Sequence, residues 1–198
     1  MASYADNFNR ANGAIGAAWA NVGGASFQIV SNEVRQQSSG GQYYAGRYES
    51  NMDSGDYSVT ATIRCTDGAS GVGVIGRMTA SGTATSDIDG YAAFYFPGDR
   101  WYLQRLVNGQ DSFGGSGVAL DDYVGSTTAG TNYTVELRMS GTSIDVYIDS
   151  TLRMSATDSG LSTGRAGLMS YGGANSTNAP YYENFTAIDA AGTNATAT

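Results

Sequence analysis

The alternation of apolar and polar positions is most regular between residues 133 and 157. Every second residue is apolar along residues 133–139, and the same period of two returns over residues 144–149. This period predicts β-strands with one apolar side and one solvent-facing side. Gly141 lies between the two runs, where a type II′ hairpin turn requires glycine. The pattern therefore predicts an antiparallel hairpin.

The turn also predicts how the two strands of this hairpin are paired. The expected opposite pairs are Met139 with Ile144, Leu137 with Val146, Val135 with Ile148, and Arg138 with Asp145. A loop at residues 149–151 then returns Leu152 and Met154 to the apolar side, which predicts a third strand. A sheet with one apolar face has to be covered, and the rest of the chain predicts a second sheet.

Similar runs recur along the whole chain. They predict strands at residues 6–9, 27–30, 33–37, 42–49, 57–64, 72–78, 90–96, 101–107, 164–171 and 181–188. About a dozen short strands without an amphipathic helix are typical of a β-sandwich or barrel. Residues 79–89, 108–122 and 172–179 are predicted to be loops. Residues 1–189 are expected to form one domain, followed by a flexible tail at 190–198.

A second hairpin, between residues 90 and 107, is rich in aromatic residues. Pairing Phe96 with Trp101 across the Pro97–Arg100 turn predicts one core face with the following residues: Phe94, Phe96, Trp101 and Leu103. The other face would carry Tyr91, Tyr95, Tyr102 and Gln104. Tyrosine rings stack on sugar rings and amides bind hydroxyls, so this face is a candidate glycan-binding platform. The preferred interpretation is that tyrosines simply suit exposed strand faces, because tyrosine is abundant throughout this chain.

A second polar and aromatic patch is predicted on the first hairpin. Asp145 and Tyr147 alternate on its outer side, and Arg153 is expected across from Tyr147, within cation–π distance. The preferred interpretation is surface pairing of small energetic weight. A carbohydrate or protein contact is the alternative.

The amino-acid composition excludes or disfavours several classes of function and partner. The 198 residues carry a net charge of −8, and histidine is absent. The negative charge disfavours nucleic acid and anionic membranes as partners. Without histidine, Ser-His-Asp and Cys-His catalysis and most zinc sites are excluded. Cys65, the single cysteine, is expected to be a small core residue. Residues 1–6 lack the basic and apolar segments of a signal peptide, and no run has transmembrane length.

The order of several motifs points to a known family. They are Asp6-Asn7-Phe8-Asn9-Arg10 followed by Gly13, Gly16 and Trp19; Gly73-Val74-Ile75-Gly76-Arg77; Trp101-Tyr102-Leu103-Gln104-Arg105; and Glu183-Asn184-Phe185. Over roughly residues 4–189, this order resembles a concanavalin A-like (LamG-like) jelly-roll domain. The resemblance implies an all-β, antiparallel two-sheet β-sandwich. It also implies that the first and last strands are adjacent, with Phe8 close to Phe185. The family includes lectins, sugar-binding modules, glucanases and bacteriophage tail or surface proteins, and the fold alone does not choose among them.

The glucanases of this fold carry two glutamates that flank an aspartate on one strand. The nearest match is Asp87-Ile88-Asp89, which has no glutamate and no third carboxylate at Tyr91. An acid and nucleophile pair is therefore not predicted. Asp87 and Asp89 are instead either weak calcium ligands or part of a solvated acidic loop.

These observations predict a non-enzymatic, lectin-like surface module without a cofactor. The expected setting is the surface of a bacteriophage virion, as a capsid decoration or minor tail protein. The expected partners are other virion structural proteins and cell-surface glycans, without nucleic acid or membrane insertion. The sparse charge is compatible with assembly into an oligomer. The alternatives are a stand-alone carbohydrate-binding protein and a glycoside hydrolase or lyase with an atypical carboxylate site.

Overall fold

A computed structural model describes residues 2–37, 40–80, 84–113, 115–172 and 180–190. The strands in this part of the chain are β1 Ser3–Asp6, β2 Gly13–Ala14, β3 Trp19–Val22, β4 Phe27–Val30, β5 Glu33–Gln36, β6 Tyr43–Tyr48, β7 Tyr57–Arg64, β8 Gly71–Met78, β9 Gly90–Tyr95, β10 Trp101–Leu106, β11 Val118–Tyr123, β12 Tyr133–Ser140, β13 Ser143–Ile148, β14 Thr151–Thr157, β15 Arg165–Tyr171 and β16 Tyr181–Asp189. A short 3-10 helix covers Thr85–Asp87. In the ranges that the structure describes, no helix is long and apolar enough to cross a bilayer. Residues 173–179 of the third predicted loop and residues 191–198 of the predicted tail lie outside the described residues.

The strands form two antiparallel sheets. The nine-stranded sheet has the order β14-β13-β12-β7-β16-β5-β4-β2, and β1 also pairs with β16. The seven-stranded sheet has the order β11-β10-β9-β8-β15-β6-β3. Between its described strands the chain crosses from one sheet to the other eight times, after β2, β3, β5, β6, β7, β11, β14 and β15, so strands that are distant in sequence become neighbours. The protein is an antiparallel two-sheet β-sandwich of jelly-roll type, as predicted.

The main core lies between the two sheets. Strand β7 alternates buried and half-buried positions along its whole length, and Val59, Ala61 and Ile63 are its inward residues. They belong to the same apolar cluster as Val72 and Val74 of β8 in the opposite sheet. Burial of a branched aliphatic side chain contributes about 1.5–3 kcal/mol. The apolar residues of the period-two pattern thus form one continuous interface between the sheets.

The register of the hairpin formed by β12 and β13 agrees with the prediction. Met139 pairs with Ile144, Leu137 with Val146, Val135 with Ile148, and Arg138 with Asp145. The prediction for Leu152 is wrong, because a bulge after Val146 places Leu152 opposite Tyr147 with 49% of its surface exposed. Met154 does return to the core.

The register of the hairpin formed by β9 and β10 differs from the prediction by one residue. Trp101 pairs with Tyr95 rather than Phe96, and Tyr102 pairs with Phe94. A slip of one residue reverses the faces of a strand. Tyr91 and Tyr95 therefore point into the core between the sheets and are 0% exposed. The predicted exposed tyrosine face is wrong for these two residues.

The two ends of the described chain lie together, as the resemblance implied. Strand β1 is antiparallel to β16, with Asp6 opposite Phe185. The rings of Phe8 and Phe185 lie 5.7 and 4.7 Å from that of Trp19, measured between centroids. The first strand begins at Ser3 and ends at Asp6, earlier than predicted.

The predicted loop at residues 108–122 contains most of an additional strand. Strand β11 pairs with β10 and forms the edge of the seven-stranded sheet. Its residues alternate between half-buried and exposed positions, and it carries two adjacent aspartates, Asp121 and Asp122. Aspartate has a low strand propensity, so residues 118–123 form a strand because they pair with β10.

Candidate functional site

The outer face of the seven-stranded sheet carries a cluster of aromatic side chains. Phe94 and Tyr102 stack at 5.4 Å, and Phe96 joins Tyr102 at 6.2 Å and Tyr171 at 5.6 Å. Tyr43 extends the cluster from Tyr171 at 4.9 Å. These rings share a second apolar cluster, separate from the core between the sheets. We call these five residues the aromatic floor.

A loop segment crosses this face, and we call its residues 107–113 the strap. Asn108 and Gly109 have positive φ angles of 53° and 68°, and Val107 bridges to Gln110, as in a type I′ turn. The Tyr43 hydroxyl donates a hydrogen bond to Asp111 Oδ2 at 2.7 Å. The Phe113 ring contacts Tyr102 edge-on at 4.9 Å. The strap is therefore fastened to the aromatic floor at two points.

A cavity of about 470 Å³ opens on one side of the strap, and we call it the Tyr102 cavity. Its lining consists of Asp99, Arg100, Tyr102, Gln104, Ser112, Phe113, Ala119, Leu120, Asp121 and Asp122. Phe113 is 57% exposed, which is unusual for a large apolar side chain. Gln104 lines the cavity and is 1% exposed, and its Oε1 accepts a hydrogen bond from Ser112 N at 3.1 Å.

Charged groups in the Tyr102 cavity are paired with one another. The Arg100 guanidinium lies 2.9 Å from Asp122 and 3.6 Å from Asp99. The Tyr102 hydroxyl donates a hydrogen bond to the Asp99 carboxylate. Burial, followed by this hydrogen bond, raises the pKa of Tyr102 to about 12. Tyr102 therefore remains protonated and acts as a hydrogen-bond donor at neutral pH.

The cavity combines an exposed aromatic ring with carboxylate and amide acceptors. Such a surface is suited to a ligand that has both an apolar side and several hydroxyl groups. Among the described residues, no group of three or more histidine, cysteine, aspartate or glutamate side chains could hold a metal ion.

The structure separates the four predicted glycan-binding residues. Tyr102 and Gln104 both line the cavity. Tyr91 instead donates to Asp158 Oδ1 at 2.6 Å, and the Tyr95 hydroxyl accepts from Cys65 N at 3.0 Å. Tyr91 and Tyr95 are therefore core residues, whereas glycan binding by Tyr102 and Gln104 stays a prediction.

Asp87 and Asp89 bind backbone amides. Asp87 Oδ2 accepts from Ala84 N at 2.9 Å, and Asp89 Oδ1 accepts from Asn108 N. The first bond closes the turn of the short helix, and the second connects this loop to the strap. These bonds give the two aspartates a role in holding loops, and a role in calcium binding stays untested.

The predicted patch of Asp145, Tyr147 and Arg153 is arranged differently. Arg138 lies over the Tyr147 ring at 4.0 Å, while Arg153 lies over Tyr123 at 4.9 Å. The predicted pairing of Arg153 with Tyr147 is wrong because the bulge after Val146 shifts β14 by one residue. Asp145 accepts a hydrogen bond from the Ser155 hydroxyl at 2.6 Å.

Sequence reasoning missed several side chains of this face. Phe113 lies in a predicted loop, and its role at this face was not predicted. A lone phenylalanine within Asp-Ser-Phe-Gly-Gly is nevertheless a signal of a functional loop. Asp99 lies in the predicted Pro97–Arg100 turn, and no sequence pattern indicates that its carboxylate lines a cavity. Tyr43 and Tyr171 come from strands far apart in sequence, so no local pattern joins them to Tyr102.

No family model matches the sequence, and no match to a curated protein is found. Solved structures do match. The carbohydrate-binding module CBM66 from Bacillus subtilis has a TM-score of 0.69 at 18% identity, with 87% of this chain and 96% of that chain covered. A Bacillus subtilis protein of unknown function with a galectin-like fold has a TM-score of 0.70 at 12% identity, with 94% of each chain covered. The Ca²⁺/Man-bound exoplasmic/lumenal domain of VIP36 has a TM-score of 0.63 at 14% identity, with 87% and 83% covered. The chain thus has the lectin-like, concanavalin A-like β-sandwich fold.

Proposed function

We propose that this protein is a non-catalytic carbohydrate-binding module and that the Tyr102 cavity holds the sugar. The observation that carries the proposal is Phe113, an exposed aromatic ring braced by Tyr102 at the rim of a polar cavity. The comparisons support it, because one neighbour is named as a carbohydrate-binding module and another was solved in a Ca²⁺/Man-bound form.

Each part of the cavity has a role in this proposal. The Phe113 ring stacks on the apolar face of a sugar ring. Asp99 and Asp122 accept hydrogen bonds from sugar hydroxyls through lone pairs that Arg100 leaves unused. Arg100 pairs with both carboxylates and the Tyr102 hydroxyl donates to Asp99, so these acceptors are fixed before a sugar binds.

A glycan array followed by isothermal titration calorimetry tests the proposal. Phe113→Ala is expected to weaken binding by about tenfold or more, which corresponds to about 1.4 kcal/mol. Leu152→Ala is the matched control, because it also truncates a half-exposed apolar side chain but lies in the other sheet. Equal affinity of the Phe113 variant and the wild type would contradict the proposal.

The proposal that the module is non-catalytic is tested separately. Incubation with soluble β-glucans is expected to release no reducing sugar. Release that disappears on substitution of an acidic residue would replace this part of the proposal by a glycoside hydrolase activity.

We also propose that the module is displayed on a bacteriophage particle, as a capsid decoration or minor tail protein. The motif order supports this setting only through its resemblance to a family that includes bacteriophage tail and surface proteins. A rigid sandwich can dock through its edges and loops while the outer face of the seven-stranded sheet remains free for bacterial glycans. Cryo-electron microscopy of purified particles is expected to show copies on the surface. Particles without any copy would favour a stand-alone carbohydrate-binding protein.

A further inference from the structure

A second cavity lies on the other side of the strap and has a volume of about 410 Å³. Its lining includes Gln42, Tyr43, Ser86, Asn108, Asp111 and Tyr171. We call it the Tyr171 cavity. It shares the aromatic floor with the Tyr102 cavity, because Phe96 contacts both Tyr171 and Tyr102. Consecutive strap residues face the two cavities, since Asp111 lines one and Ser112 lines the other.

We propose that the Tyr171 cavity is a second sugar-binding site, so that one chain holds two neutral sugar units on the same face. This inference rests on the proposed function. The second site goes beyond the proposed function, because sugar binding in the Tyr102 cavity does not depend on it.

Unpaired polar groups are the first argument for this site. Within the described residues, no hydrogen bond involves the Tyr171 hydroxyl, the Asn108 carboxamide or the Ser86 hydroxyl, and all three residues line the cavity. Gln42 is different, because its Nε2 donates to Gly23 O at 2.9 Å. Three groups that can both donate and accept are therefore available to ligand hydroxyls.

The second argument is that these groups are held in place before a ligand binds. Asn108 has a φ of 53°, its backbone N–H donates to Asp89, and Gly109 N donates to Ile88 O at 2.8 Å. The Tyr171 ring is fixed between Tyr43 and Phe96. Groups that are already ordered lose little conformational entropy on binding.

Charge indicates the class of sugar. Of the described residues that line the Tyr171 cavity, Asp111 alone carries a charge. Its carboxylate already accepts hydrogen bonds from the Tyr43 hydroxyl at 2.7 Å and from Phe113 N at 3.0 Å. The described lining residues provide no cation for a sulfated or carboxylated sugar, and the net charge of −8 would repel such a ligand. Neutral hexose units are therefore the expected ligands.

Calorimetry with maltohexaose, laminarihexaose and mannohexaose tests this inference. The wild type is expected to bind two molecules of at least one of these probes per chain. Tyr171→Phe with Ser86→Ala removes two free hydroxyls while keeping the ring, and it should reduce the stoichiometry to one. Phe113→Ala should also reduce it to one, and the combined variant should not bind. Tyr4→Phe, which removes a tyrosine hydroxyl that binds Asn51 O, is the matched control and should leave two sites.

Binding to a surface coated with the same hexaose provides a second readout. Loss of either site is expected to weaken apparent affinity by about tenfold or more, because two linked contacts act together. A wild-type stoichiometry of one that depends on Phe113 and not on Tyr171 or Ser86 would overturn the second site and leave the proposed function standing. Absence of any binding to the three hexaoses would overturn both.

Discussion

Cys65 shows at the scale of one residue how burial controls reactivity. The side chain is 0% exposed, and its Sγ lies 3.2 Å from Ser70 O. Burial raises the pKa of the thiol to about 12, so the reactive thiolate is scarce at neutral pH. We expect the folded protein to resist 5,5′-dithiobis(2-nitrobenzoic acid) at pH 8 and the urea-unfolded chain to react rapidly. Fast labelling without denaturant would contradict this prediction.

A pair of carboxylates at Glu33 and Glu183 was not foreseen from the sequence. Glu33 binds Arg64 at 2.6 Å, and burial, followed by the hydrogen bond with Glu33 and its charge, raises the pKa of Glu183. The folded state therefore holds this proton more tightly than the unfolded chain. Ionisation of Glu183 costs stability as the pH rises above its usual value of 4.5.

Glu183→Gln removes this cost and should make the protein more stable than the wild type at pH 8. The gain should shrink at pH 4, where Glu183 of the wild type is protonated. Urea unfolding at both pH values measures the difference. Glu136→Gln serves as the control, because this carboxylate is paired with Arg138 at 2.7 Å and its loss should bring no gain. A Glu183 variant that is no more stable than wild type at pH 8 would rule out an unfavourable interaction between the Glu183 and Glu33 carboxylates.

At the scale of elements, the β12–β13 hairpin depends on its turn. Gly141 has a φ of 55°, and nothing within 4 Å would contact an added Cβ. Gly141→Ala is therefore expected to destabilise the protein through backbone strain alone, by about 1–2 kcal/mol. Thr142→Ala, at the next turn residue, should have a smaller effect. Equal stability of the Gly141 variant and the wild type in thermal unfolding would show that the turn is not strained by a side chain.

The two hairpins also show why one register could be predicted and the other could not. In β12, buried inward residues alternate with outward residues that are exposed or half-buried, so only one register keeps the apolar residues inside. In β9, all six residues are buried. The apolar pattern of β9 therefore does not distinguish its two faces, and the aromatic residues fit either register.

At the scale of the whole molecule, Asp189 connects distant parts of the chain. The side chain is buried, and its carboxylate accepts hydrogen bonds from the backbone N–H groups of Ala2, Asp53 and Ser54 at 2.6, 3.2 and 3.4 Å. Asp189→Asn replaces one acceptor by a donor and is expected to cost about 1–3 kcal/mol in urea unfolding. Asp122→Asn changes only an exposed ion pair with Arg100 and should cost little. Similar stability of the two variants would contradict the role of Asp189.

Asp6 connects the two sheets, because it lies in β1 and accepts a hydrogen bond from Trp19 Nε1 of β3 at 2.9 Å. Burial alone would raise its pKa, but hydrogen bonds from Arg10, Trp19 and the Phe8 amide lower it below the usual 3.8. Stability from Asp6 is therefore present above pH 3.8 and lost as the pH falls through the lower native value. Urea unfolding between pH 2 and 5 should show a smaller decrease for Asp6→Asn than for wild type, and identical slopes would argue against this contribution.

The sequence by itself determined the β-sandwich class, the hairpin at residues 133–148 and the outward side of Tyr102 and Gln104. These depend on a period of two and on a turn glycine, which act between neighbouring residues. Tertiary structure alone decided which face of β9 and β10 meets the other sheet, because loops bury the outer face as well. It also decided the cavities, since the strap is held by a bond between Tyr43 and Asp111, 68 positions apart. Contacts at that separation depend on how the sheets pack, which local patterns do not encode.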